Sequence, residues 1–129
     1  MFNGSVINDS ATICAPVKTE IKTGPFTAVA LVSGGAVPCT DALVPAGLTI
    51  AETPGVVPVG EDVNVQVKDI GVWKGGAAFA TGDPLASDAE GLAVKATDGK
   101  FILGFAFEDC SAKGQTVKVQ ITKSGFMRS

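Results

Sequence analysis

The side chains that most often move protons are missing from this sequence, whose 129 residues include no histidine and no tyrosine. A Ser-His-Asp or Cys-His nucleophile is therefore impossible. The nucleophile elbow G-x-S-x-G does not occur, and Gly75-Gly76 and Gly99-Lys100 lack the rest of a phosphate-cradling loop. A Ser–Lys dyad has no fixed spacing, and no pair stands out. Asp83, Asp88 and Glu90 crowd neighbouring turns and could ligate calcium, but their spacing is not that of an EF-hand loop. Turn acids that bond their own backbone are the plainer reading. Cys14, Cys39 and Cys110 are too widely spaced for a zinc site that has no histidine to draw on, and read as buried, reduced thiols. No catalytic residue, metal ligand or cofactor site is assigned.

What remains is binding. Trp73 is the one tryptophan and sits among Gly71, Gly75 and Gly76. It suits core packing, a subunit-interface anchor or a stacking platform for a sugar ring, and the three readings stay open. Phe2, Val6 and Ile7 are apolar residues in an otherwise polar, irregular arm over residues 1–15, and arms of this kind often order only against a neighbour. These three and Trp73 are the candidate contact residues.

The elements that would carry them read as β throughout. Apolar and polar residues alternate from Val63 to Ile121, broken every eight to twelve residues by Gly, Asp or Pro. Val63, Val65 and Val67 share a face, and the phase then flips to Ile70 and Val72, which predicts a bulge near Lys68-Asp69. Leu85 to Ser87, Leu92 to Ala96, Phe101 to Phe107 and Val117 to Ile121 follow as strands, with Asp98-Gly99 as a hairpin turn. Phe101, Leu103, Phe105 and Phe107 form the most apolar face. Ile102, Gly104 and Ala106 behind them are small enough for a close approach. Upstream, Pro16 to Ile21 and Phe26 to Ser33 read as strands; the second is apolar on both faces and must be covered on both. Residues 34–62 hold four prolines and five glycines, which predicts a loop-rich segment with at most short edge strands, best over Gly47 to Thr53. Seven to nine short strands without a helical stripe predict an all-β domain over residues 16–129, a small antiparallel barrel or sandwich.

Composition narrows the partners. Residues 41–110 carry four lysines against eleven acids, while residues 111–129 carry four bases and no acid. An acidic body disfavours nucleic acid. No apolar run is long enough to span a bilayer, and no secretory signal is expected from an N-terminus without basic residues before Lys18. The sequons at Asn3 and Asn8 then read as incidental.

The string GVWKGGAAFATGDPLASDAEGLAVKATDGKFILGFAFEDC, followed by QTVKVQI, resembles the small head-decoration, or cement, proteins of tailed bacteriophages. The similarity lies in an apolar strand ending in a Gly-rich turn, a G-D-P-L step, an acidic turn, a D-G-K hairpin and a terminal V-K-V-Q-I strand. It spans about the last 60 residues. The resemblance implies a small β-barrel of the β-tulip type, sitting as a homotrimer on the outer capsid surface of the virion after assembly in the host cytoplasm. Its partner would be the major capsid protein, with neighbouring coat subunits clamped against internal pressure. Rival readings are a phage tail or baseplate β-module, which should carry a longer repeat or partner domain, and a carbohydrate-binding module, which should expose several aromatic rings.

Overall fold

The valine alternation around Val65 does build a strand, and its pairing shows how the chain folds. The structure is a computed structural model that describes residues 11–127. It holds ten strands: β1 (Thr12–Pro16), β2 (Ala28–Val32), β3 (Gly35–Pro38), β4 (Gly47–Thr49), β5 (Asp62–Gln66), β6 (Asp69–Lys74), β7 (Pro84–Ser87), β8 (Ala93–Lys95), β9 (Phe101–Ala106) and β10 (Thr116–Phe126). They form two five-stranded antiparallel sheets, ordered β1-β5-β4-β2-β3 and β6-β10-β9-β7-β8. No helix occurs among the described residues. The fold is all-β as expected, and of the two architectures it is the sandwich, not a closed barrel.

Two apolar cores share strand β2. Ala28 and Ala30 face the second sheet and pack with Leu48 against Trp73, Leu85, Leu103, Val117, Val119 and Ile121. Small side chains on one sheet thus receive large ones from the other, as close packing requires. Val29, between those alanines, points the opposite way into a second core with Ala15, Val17, Ala36, Val63 and Val65. The first sheet curls around this core until Val17, just past β1, bridges Ala36 on β3. The expectation that β2 is covered on both faces therefore holds as far as Ala30, beyond which Leu31 and Val32 are exposed.

Backbone bonds tie the sheets where they meet. The Lys74 N–H donates to the Phe26 carbonyl at 2.8 Å, and the Ala28 N–H to the Gly91 carbonyl at 2.8 Å. Phe26 itself has a positive φ of 66°. Its turn is held by buried hydroxyls: Thr49 Oγ1 donates to the Gly24 carbonyl at 2.8 Å and accepts from the Thr27 N–H at 3.1 Å. Buried hydroxyls need such partners, and here they fix the entry into β2.

Several expected elements fall elsewhere. Thr12 to Ala15 lie within the span 1–15 assigned to the arm, yet with Pro16 they pair with β5 from Thr12↔Gln66 to Pro16↔Asp62. Pro16 to Ile21 is consequently not a continuous strand, and contributes only the bridges Val17↔Ala36 and Ile21↔Val57. The segment 34–62 contains β3 and β4, and β4 is an interior strand between β5 and β2 rather than an edge. Gly47 makes that possible, because a Cβ there would collide with the Gln66 carbonyl oxygen on β5. The phase flip at Lys68-Asp69 is a sheet change, not a bulge: the chain leaves β5 in one sheet and enters β6 in the other, with Asp69 at φ 70°. The Gln66 side chain staples this corner, its Nε2 donating to the carbonyls of Lys68 and Ile70 at 3.0 and 2.8 Å. Asp98-Gly99 does turn the chain, with Lys100 N–H donating to the Thr97 carbonyl, but β8 and β9 do not pair. They flank β7 on opposite sides.

Candidate interaction surface

The acids flagged for chemistry are engaged in local structure. Asp88 Oδ1 accepts from the backbone N–H groups of Glu90 and Leu92 at 2.8 and 2.9 Å, and Asp83 Oδ2 accepts from Ala80 N–H at 2.9 Å. Glu90 pairs with Lys113 at 3.1 Å on the surface. Asp109 accepts from both the N–H and the hydroxyl of Thr81, at 2.7 and 2.8 Å, and these bonds hold its carboxyl below the usual carboxylate range. Among the described residues no three His, Cys, Asp or Glu side chains gather closely enough to hold a metal ion. Cys39 and Cys110 are buried and Cys14 is exposed, so the expected burial fails for Cys14 on edge strand β1. Burial pushes the Cys39 thiol up despite contacts with Ser87 and Thr40 that oppose the shift.

Two adjoining grooves run along the join between the sheets. One, of about 470 Å³, is lined by Thr19, Glu20, Lys22, Thr23, Pro38, Cys39, Ala89 and Glu90. The other, of about 260 Å³, shares Thr23 and Glu90 and adds Lys74, Leu92 and Lys113. Their charges are mixed and partly paired, Lys22 with Glu20 at 3.5 Å and Lys113 with Glu90. Nothing there resembles a reactive constellation.

The unusual surface is the outer face of the second sheet. Pairing of β10 with β6 sets Val117 opposite Trp73 and Val119 opposite Gly71, all turned toward the inter-sheet core. The alternate pairs, Lys118 with Val72 and Gln120 with Ile70, must then face out. On the other side of β10, Val119 opposes Ala106 and Ile121 opposes Gly104, so Phe105, opposite Gln120, also faces out. Phe105 packs there with Ala86, Ala96, Ile102 and Met127 in a separate outer cluster. On this face Ile70 is 55% exposed and Phe107 47%. A sandwich ordinarily presents polar residues on such a face. At the far end of the same strands, on the opposite side of β9 from Ile102, Phe126 is 61% exposed and meets its register partner Phe101 edge-to-face at 5.4 Å between ring centroids, a favoured aromatic geometry.

This overturns two sequence assignments. Ile70 and Val72 were expected inward, yet Gly71 and Trp73 occupy those positions, because burying the indole outweighs burying an isoleucine. Phe101, Leu103, Phe105 and Phe107 were expected as one core face, yet only Leu103 reaches the inter-sheet core. The alternation slips between Leu103 and Gly104, next to the register shift between Ile121 and Gly125 on β10. Gly104 permits the close pairing, since a Cβ there would strike the Gln120 carbonyl. The close approach behind β9 is thus by its neighbour strand.

Of the four candidate contact residues, Phe2, Val6 and Ile7 lie outside the described residues. Trp73 is fully buried, with Nε1 donating to the Gly91 carbonyl at 2.9 Å. Its geometry is that of core packing, and its ring offers no surface to a sugar or a subunit. Ile70 and Phe107 are exposed apolar residues of the outer face that the sequence argument missed. The signal available was Trp73, whose size alone could have set the phase of β6.

Comparisons with known proteins agree with this architecture. The chain matches the family model for the phage cement protein over residues 17–121. No curated protein matches. Among solved structures it is similar to the N base of the head fiber gp8.5 of bacteriophage phi29, at 19% identity and a TM-score of 0.68. That likeness covers 91% of this chain and 98% of the other, and shows a shared fold. The family match spans most of the sequence, and the chain belongs to the phage cement protein family.

Proposed function

We propose that this chain is a non-catalytic decoration protein of a mature phage head, binding the outer capsid surface and clamping neighbouring subunits of the major capsid protein. The observation that carries the reading is the family match over residues 17–121, on a fold shared with a head-fiber base. The physical logic is mass action: a ligand that binds only the expanded shell stabilises that shell. Many copies acting together make modest single-site affinity sufficient. A rigid two-core sandwich suits such a brace. In this reading the protein works as a homotrimer at threefold positions, and assembly takes place in the host cytoplasm. Phe2, Val6 and Ile7 anchor the N-terminal arm on coat protein, where the arm adds a strand to a sheet edge. Neither nucleic acid nor membrane is a partner.

The test is to mix purified chain with shells that lack it, before and after expansion. Saturable binding to expanded shells alone, with a higher rupture temperature, is the expected result. Equal binding to both shell states, or binding to neither, would refute the clamp.

A further inference from the structure

We infer that the fork between β4 and β5 is a cation-binding pocket that takes an arginine side chain from the coat protein. This deepens the decoration reading, and rests on it only for the source of the arginine. β4 ends at the pair Thr49↔Val65, while β5 extends back to Asp62. A cavity of about 170 Å³ opens where the two strands separate. Glu52, Asp62 and Asn64 are exposed at its rim, and Thr53 and Val63 are buried in its floor.

Thr53 is the residue that points to a ligand. The buried polar residues are Thr27, Thr49, Thr53 and Ser87. The hydroxyls of Thr27, Thr49 and Ser87 donate to the backbone carbonyls of Gly24, Gly24 and Asp88. Thr53 is only 8% exposed, yet its hydroxyl has no partner among the described residues, where a buried polar group ordinarily has one. The two carboxylates are bare as well. Ion pairs take up Glu20, Asp41, Asp83 and Glu90, whereas the side chains of Glu52 and Asp62 have neither ion pair nor hydrogen bond among the described residues. No base occurs in the sequence between Lys22 and Lys68 to neutralise them.

The lining selects the occupant. Two carboxylates, the Asn64 amide oxygen and the Thr53 hydroxyl can all accept, so the ligand that satisfies them donates and is positive. A calcium ion asks for about six to eight oxygens, and no three acidic side chains gather here. The cavity is also roughly ten times the space that one water-sized sphere needs. A guanidinium presents a planar fork of N–H donors that can bridge carboxylates and still reach the amide and the hydroxyl. Its methylene stem fits the apolar part of the lining, Ile50 and Val63.

The experiment compares wild type with Thr53→Val and with Glu52→Gln/Asp62→Asn. Glu20→Gln/Asp41→Asn, at acids outside the pocket, is the charge-matched control. The acid variant should bind expanded shells at least about 30-fold more weakly, and the control less than about 3-fold. Thr53→Val should weaken binding about 5- to 10-fold while raising the Tm of the free chain, because it removes a buried hydroxyl that has no partner. A second measurement needs no shells: isotope-labelled chain is titrated with N-acetyl-arginine amide and, separately, with calcium chloride. The arginine amide should shift the backbone amide resonances of residues 50–54 and 62–64 saturably in wild type and leave those of the acid variant unmoved. Pocket variants that bind shells like wild type, a Thr53→Val chain that loses stability, an arginine amide that moves none of these resonances, or calcium that saturates the pocket at lower concentration would each overturn the inference. Each of these outcomes leaves the decoration reading standing. A chain that takes arginine amide in this pocket yet ignores expanded shells fails only that reading.

Discussion

Gly91 joins the two sheets at a single carbonyl, and replacing it with alanine separates two costs that are usually confounded. Its φ is +80°, where an L side chain is disfavoured by about 1–2 kcal/mol. A Cβ would also lie 3.0 Å from the Ala28 carbonyl oxygen and 3.6 Å from that of Cys39. Relieving the first contact shifts the Gly91 carbonyl, which accepts the Ala28 N–H at 2.8 Å and Trp73 Nε1–H at 2.9 Å. Weakening two buried bonds, each worth about 1 kcal/mol net, brings the expected loss to about 3 kcal/mol. Gly99 supplies the control: its φ is +85°, but a Cβ there meets no atom within 4 Å. Gly99→Ala should cost the backbone term alone, about 1–2 kcal/mol. At about 0.27 kcal/mol per degree for a chain of 129 residues, Gly91→Ala should lower Tm by about 11 °C and Gly99→Ala by about 4–7 °C. Thermal melts by circular dichroism give both values. Equal losses for the two variants would refute the tight junction at Gly91.

Three further outcomes follow from the same geometry. The sole tryptophan, fully buried, should fluoresce in the blue and resist iodide quenching, while Trp73→Ala should cost about 3–5 kcal/mol in chemical denaturation. Ellman's reagent should titrate one thiol rapidly in the native protein, that of exposed Cys14, with buried Cys39 and Cys110 reacting only on unfolding. Asp109 has a lowered carboxyl pKa when folded, so its contribution is present above the unfolded carboxylate pKa and is lost as pH falls through the folded value. The Tm difference between wild type and Asp109→Asn should therefore be largest near neutrality and shrink in acid below roughly pH 4.

Local alternation made much of the fold legible. Val63-Asn64-Val65-Gln66 and Val117 to Ile121 are half-buried strands of period two, and both formed where expected. Ala28, Val29 and Ala30 announced a strand covered on two sides, and the two cores meet there. Long-range pairing was less legible. Asp98-Gly99 encodes a turn but not which strands it joins, and β9 finds β7 and β10 instead of β8. At Lys68-Asp69 a bulge and a change of sheet give the same phase flip, and only tertiary contacts tell them apart. Gly47 weakens a strand in isolation but admits β4 into the sheet interior, because the β5 backbone comes too close for any side chain. The candidate surface was hidden for a related reason. Apolar phenylalanines on β9 read as core by type alone, and the slip beside Gly104 that turns Phe105 and Phe107 outward depends on the irregular partner strand.

The most direct test of the decoration role is the copy number of this chain relative to the major coat protein, by quantitative mass spectrometry of purified particles. A cement at threefold positions predicts a ratio near one to one. A few copies per particle, or none, would contradict it.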